Sequence, residues 1–335
     1  MKKDSICVSN RLLRMLSAYF CAAITATFAL NSAALAAPEH KGEPLLCVLV
    51  PHFKDEYWLS VAYGIEGRAA TAGLAVGFFE AGGYHALDRQ ITQLRDCMAL
   101  QPAAVLIGAV SADAPQLLAA VASAAQTSPV IGLVNELRSP ALSARVGVDW
   151  TEMGFVLGRH LAGRYPPGGP PRQAVLLTGP VESGWVAPHG QGLRAGLQNT
   201  SLQIAAVYGA DTGTAEQLRL VERALEDHPD IDLIIGPAPA IEAAMGWLAD
   251  RDTAPDLAAT YVSHSVARGL AGGKVQAAPF DNPILQGQLS VDAALTAIAG
   301  QSQPGLTGPA IRVLEAGASA SEMPLSPAGY FPTLH

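Results

Sequence analysis

Aromatic side chains make up only 6% of this chain, yet several of its Trp and Tyr residues fall where strand signals give way to helix signals. They are Tyr57, Trp58, Tyr84, Trp150, Trp185 and Tyr261. In an open α/β sheet, ligands bind outside the strand ends. Rings gathered there can wrap a small apolar or cationic group, because the face of a π-system attracts positive charge. The Tyr hydroxyls and Trp N–H groups supply polar contacts at the edge of those apolar walls. Asp281 falls at another strand end, just before a helix. Its carboxylate faces a bound cation or receives a hydrogen bond, or else caps that helix. Asp149, beside Trp150, is a weaker candidate of the same kind. Trp247 lies inside a helical pattern and reads as a packing residue.

Reaction chemistry has no comparable signature. The chain carries no GxSxG elbow, no Walker A loop and no HExxH pair. Its histidines, among them His160, His189, His228 and His264, are scattered. Without a CxxC pair or clustered His, no metal site is expected, and no cofactor fingerprint is present. The residues describe a receptor for a small molecule rather than an enzyme.

Positioning such a cavity requires layered elements, and the N-terminal segment points to export of the chain that carries them. Lys2, Lys3, Arg11 and Arg14 precede an apolar run over residues 17–30 and the small-residue stretch Ala33-Ala34-Leu35-Ala36-Ala37. That is the anatomy of a secretory signal peptide over residues 1–36, cleaved after Ala36. The run is shorter than the ~20 residues a membrane span needs. About 300 residues remain, enough for two domains. Losing the four bases and Asp4 takes the formal charge from −8 to about −11. An acidic surface repels phosphate backbones, which argues against nucleic acid. Cys47 and Cys97 stay in the exported part. In an oxidising compartment they form a disulfide, or else remain as two buried thiols.

Strand and helix signals alternate from residue 45 onward. Residues 45–50 form a continuous apolar run, as in a parallel strand covered on both faces. Residues 58–72 read as a helix stopped by Gly73. The same grammar resumes after residue 150, interrupted by the Pro/Gly loop at residues 166–171. Repeated βαβ units predict two doubly wound parallel sheets with right-handed crossovers. Chain crossings are placed near Trp150, Ser263 and Gly300. The first lobe then takes residues 44–149 plus 263–300, and the second residues 150–262 plus 301–325.

This order of elements resembles the type I periplasmic binding-protein fold. Local motifs narrow the resemblance. Cys47-Val-Leu-Val-Pro-His-Phe-Lys-Asp-Glu-Tyr-Trp58, Glu80-Ala-Gly-Gly-Tyr84, Arg145-Val-Gly-Val-Asp-Trp150, Ala243-Ala-Met-Gly246 and Tyr261-Val-Ser-His264 are similar to segments of the TorT family. The resemblance runs over roughly residues 45–300. It implies a periplasmic receptor for trimethylamine N-oxide, or a similar small methylated amine. It also implies docking to the periplasmic sensor domain of a membrane histidine kinase (TorS-like) that controls N-oxide respiration. Trp58, Trp150 and Trp185 are the expected walls, with Tyr57, Tyr84 and Tyr261 as walls or donors. The rival reading is a solute-binding component of an ABC uptake transporter, for a sugar or another methylated amine.

Overall fold

The computed structural model describes residues 42–251 and 254–335. The expected signal peptide lies outside the described residues. The chain opens with β1 (Leu45–Val50), α1 (Glu56–Ala72), β2 (Ala75–Glu80), α2 (Leu87–Ala99), β3 (Ala104–Ile107), α3 (Pro115–Ala124), β4 (Val130–Leu133) and β5 (Ala144–Val146). It continues through α4 (Trp150–Arg164), β6 (Arg172–Thr178), α5 (Val186–Gly196), β7 (Leu202–Gly209), α6 (Thr214–Asp227), β8 (Leu233–Gly236), α7 (Ala238–Trp247), β9 (Asp256–Ala259), α8 (His264–Ala271) and β10 (Ala277–Phe280). Then follow α9 (Pro283–Ile298), β11 (Gln303–Thr307) and β12 (Arg312–Glu315).

These strands make two six-stranded sheets. Their orders are β11-β5-β4-β3-β1-β2 and β12-β10-β9-β8-β6-β7. All pairings are parallel except that of β10 with β12. The central strands β1, β3, β4 and β8 are buried along almost their whole length, because helices cover both faces. The two doubly wound sheets match the expectation from sequence.

The crossings differ from it in two places. The first lies between β5 of the first sheet and β6 of the second, the stretch that holds α4. The second lies after Phe280 rather than near Ser263, because β10 joins the second sheet between β9 and β12. The third falls between β11 and β12 rather than near Gly300, because β11 pairs with β5 in the first sheet. Residues 263–280 therefore belong with the second lobe, and 303–307 with the first. A strand's hydrophobic pattern shows that it is buried but not which of two similar sheets accepts it.

Each lobe fixes its cleft-facing helices by close helix contact. On α1, a side chain at Gly64 would collide with the Ile284 carbonyl of α9, and one at Gly287 with the Val61 carbonyl. Gly154 and Gly158 of α4 meet α5 in the same way, as do Gly192 and Gly196 in return. Glycine lets two backbones approach within a distance that any Cβ forbids. Cys47 of β1 and Cys97 of α2 are joined by a disulfide, with Cα atoms 6.1 Å apart. Residues 323–335 form a strap that leaves the second lobe and runs back along the first. Ser326 bonds Ser60 of α1, the Tyr330 hydroxyl donates to Glu66, and Leu334 bridges to Phe78 of β2.

Candidate functional site

Helix starts deliver most of the expected aromatic residues. Asp55 is the N-cap of α1, and its Oδ1 accepts from the Tyr57 backbone N–H at 3.0 Å. That turn presents Tyr57 and Trp58 to the cleft. The Trp58 indole lies against Gly108 beyond β3, where a Cβ would collide with it. Trp150 opens α4, whose cap is Asp149, accepting from Thr151 N at 2.7 Å. Asp149 thus caps the helix and does not line the aromatic cavity. Trp185 caps α5 and lies against Gly179, the second-lobe counterpart of Gly108. Tyr84 follows the turn after β2, and Tyr261 follows β9.

Those six residues converge. Trp150 and Trp185 have ring centroids 5.6 Å apart, Trp185 and Tyr261 6.2 Å, and Tyr57 and Tyr261 5.3 Å. Together with Asp55, Val134 and Asn135 they line a small cavity between the lobes. Val134 holds a left-handed conformation, φ 61°, uncommon for a β-branched residue. The Trp150 indole N–H donates to its carbonyl at 3.1 Å, so the strained turn and the ring fix each other.

Two expected roles change. Asp281 does not line the cavity, nor does it cap α9. The cap is its neighbour Asn282, whose side chain accepts from Leu285 N at 3.1 Å. Asp281 sits behind Tyr57, accepting that hydroxyl at 2.7 Å and the Gln286 amide at 2.8 Å. Trp247 is not a packing residue: it is 40% exposed on α7, with the Arg251 guanidinium 5.6 Å over its ring.

Asp55, Val134 and Asn135 join the expected aromatic residues in the cavity wall. Asp55 had a readable signal, an acidic residue at a helix start two positions before Tyr57. Asn135 had none beyond its place at a strand end.

Charge in the cavity is concentrated on Asp55. Burial is the main cause that pushes its carboxyl up to about 6. The Tyr261 hydroxyl, donating to its Oδ2 at 2.5 Å, and the Tyr57 N–H oppose that rise. Asp281 is raised too, again by burial. Burial first, and then the facing carboxylates, hold the Tyr57 and Tyr261 hydroxyls well above the usual tyrosine range. Both of those hydroxyl protons are committed, to Asp281 and Asp55. The Tyr84 hydroxyl differs: it accepts from the Asn135 amide at 3.1 Å, and its own proton has no protein acceptor among the described residues. The cavity therefore offers ring faces and one carboxylate to positive charge, and one free hydroxyl donor to negative charge.

Comparison with known proteins matches that architecture. The periplasmic binding protein domain model fits residues 46–302. The periplasmic protein TorT of Escherichia coli K12 is 36% identical over 290 residues, covering 86% of this chain and 83% of that protein. The chain belongs to the TorT family of periplasmic binding proteins. Among solved structures, the complex of the TorS sensor domain with TorT, determined without ligand and with TMAO, matches at 34% identity and a TM-score of 0.76. That match covers 88% of this chain and 100% of the TorT chain. An ABC transporter solute-binding protein from Bradyrhizobium sp. BTAi1, solved with bound Bis-Tris, matches at 35% identity and a TM-score of 0.72. It covers 88% of this chain and 90% of the other. A family of binding proteins agrees with the absence of catalytic motifs from the sequence.

Proposed function

We propose that this TorT-family protein is a periplasmic receptor that holds trimethylamine N-oxide in the aromatic cavity and signals to a membrane histidine kinase controlling N-oxide respiration. The observation that carries the ligand assignment is the division of labour in the cavity. Trp58, Trp150, Trp185, Tyr57 and Tyr261 offer ring faces to the methylated ammonium, and Asp55 gives it a counter-charge. Each ring contact contributes roughly 0.5–2 kcal/mol once water is excluded. Several of them approach the ~8 kcal/mol of micromolar binding, before ordering costs. The Tyr84 hydroxyl is left to donate to the oxide. A sugar would need several side chains to hold its hydroxyls, and besides the rings the cavity lining has only Asp55 and Asn135 as polar side chains among the described residues. The relative solved with and without TMAO on the TorS sensor domain supports both halves of the reading.

The second reading is the solute-binding component of an uptake transporter, favoured by the Bradyrhizobium relative with bound Bis-Tris. Calorimetric titration of the exported protein with trimethylamine N-oxide, betaine, choline and ribose separates the ligands. Saturable N-oxide binding is the expected result, and ribose or betaine binding in its place defeats the ligand assignment. Co-purification with a TorS-type sensor domain is expected of the receptor. Its absence, together with tight ligand binding, favours the transporter component.

A further inference from the structure

Outside the cavity, one loop of the second lobe reaches across the cleft. Asp211 and Thr212 follow β7, just before the Gly213 cap of α6. Both are buried. The Asp211 carboxylate turns away from its own lobe, apart from a bond from Thr212 N at 2.9 Å. Its two oxygens lie 3.3 and 3.4 Å from the Tyr84 backbone N–H, in the first lobe. It also lies 3.5 Å from Nε2 of His52, in the loop after β1. The same His52 nitrogen is 2.9 Å from the Thr212 hydroxyl. Opposite the carboxylate stands Gly83, where a Cβ would collide with Asp211 Oδ2. The first lobe therefore leaves room at residue 83 for the carboxylate of the second.

We infer that Asp211 is a closure residue: it grips the Tyr84 backbone and His52 across the cleft, and so sets both the closed arrangement and the place of Tyr84 in the cavity. This inference rests on the reading of the cavity as a small-ligand site, though not on which ligand fills it. Asp211 is a positioning residue, since it does not line the cavity and acts through Tyr84. Tyr84 is the residue whose hydroxyl proton is free for a ligand, so a backbone held wrongly by an ångström removes that donor from reach. The electrostatics agree. Burial pushes the Asp211 carboxyl upward, but His52 and the backbone N–H donors outweigh it and hold it below the usual carboxylate range. A buried carboxylate that still favours ionisation is one with partners, and apart from Thr212 N its partners, Tyr84 N–H and His52, are on the other lobe. By contrast, the glycine contacts between helices lie within single lobes and leave closure unaffected.

The test uses Asp211→Ala and Asp211→Asn in the full exported chain. Asn keeps one acceptor for the Tyr84 N–H and loses the charge, whereas Ala loses both. Hydrogen exchange of the segment around Tyr84, and the radius of gyration from solution scattering, are read first, without ligand. Faster exchange and a larger radius in Ala, with Asn between Ala and the parent, are expected. Thermal midpoints should be close to the parent's, because the latch joins lobes and supports neither core. Trimethylamine N-oxide titration then reads affinity, with a loss of about tenfold or more in Ala, the scale of a charge-assisted hydrogen bond. Unchanged exchange and radius in Ala overturn the latch. So does an affinity equal to that of a parent that binds. A parent that fails to bind defeats the ligand assignment alone, and the exchange and scattering data still decide the latch.

Discussion

Replacing Asp55 by Asn should flatten part of the pH dependence of stability. Asp55 is buried, and its carboxyl lies at about 6 in the folded protein against 3.8 for an ordinary Asp. Folding therefore favours the protonated form by roughly two pH units, which corresponds to about 3 kcal/mol. The sign follows from linkage. Between pH ~4 and ~6 the folded state binds more protons than the unfolded one, so stability falls as pH rises through that window. The contribution is fully present below pH ~4 and lost above pH ~6. Asparagine keeps an Oδ1 for the Tyr57 N–H and carries no charge, so it lacks this loss. The stability difference, parent minus variant, should fall by about 3 kcal/mol between pH 3 and pH 7. Asp281 and Asp211 also titrate in unusual ranges, but both proteins keep them and their effects cancel in the difference. Urea unfolding followed by Trp fluorescence at half-unit pH steps measures the profile. A difference that stays flat, or rises with pH, refutes the reasoning that burial dominates at Asp55.

Three further outcomes are expected. Trp58→Ala should weaken N-oxide binding at least tenfold in calorimetry while the protein stays folded, and Trp247→Ala on the outer face of α7 should leave binding unchanged. Binding should also weaken several-fold as pH falls from 7.5 to 5, because protonating Asp55 removes the counter-charge for the ligand nitrogen. Titrations in buffers of different ionisation enthalpy should then show proton release near pH 6. Reducing the Cys47–Cys97 bond, which closes a separation of 50 residues, should cost about 4 kcal/mol by loop entropy, measured as a shift of the urea midpoint with dithiothreitol.

Alternation of apolar runs and helix stops was enough to read two parallel sheets, since strands covered on both faces must be apolar throughout. The aromatic cavity was legible for the same reason: Trp58 and Trp150 stand at helix starts, and helix starts over parallel strands face the cleft. Sequence failed where the answer depended on partners far along the chain. Nothing local to β10 says that it lies between β9 and β12. Asp281 looks like a cap because it precedes a helix, but Asn282 tolerates the left-handed conformation that the turn requires, φ 47°, and takes that role. Once released, the Asp281 carboxylate is used to anchor a tyrosine 224 residues earlier. Asp211 had no signal at all, because its contacts exist only where the two lobes meet.

The strap over residues 323–335 bears on solubility. β2 is one of the two outer strands of the first sheet, and an outer strand offers unpaired N–H and C=O groups to any passing chain. The strap occupies part of that row: Leu334 bridges to Phe78, and His335 N donates to the Phe78 carbonyl at 2.8 Å. Phe331 stacks edge-on against Phe53 from the solvent side and is itself 57% exposed. A chain trimmed before Ser326 would keep its cavity walls, yet it would bare a sticky sheet edge beside an aromatic surface. Its first fault would be self-association at high concentration rather than loss of ligand.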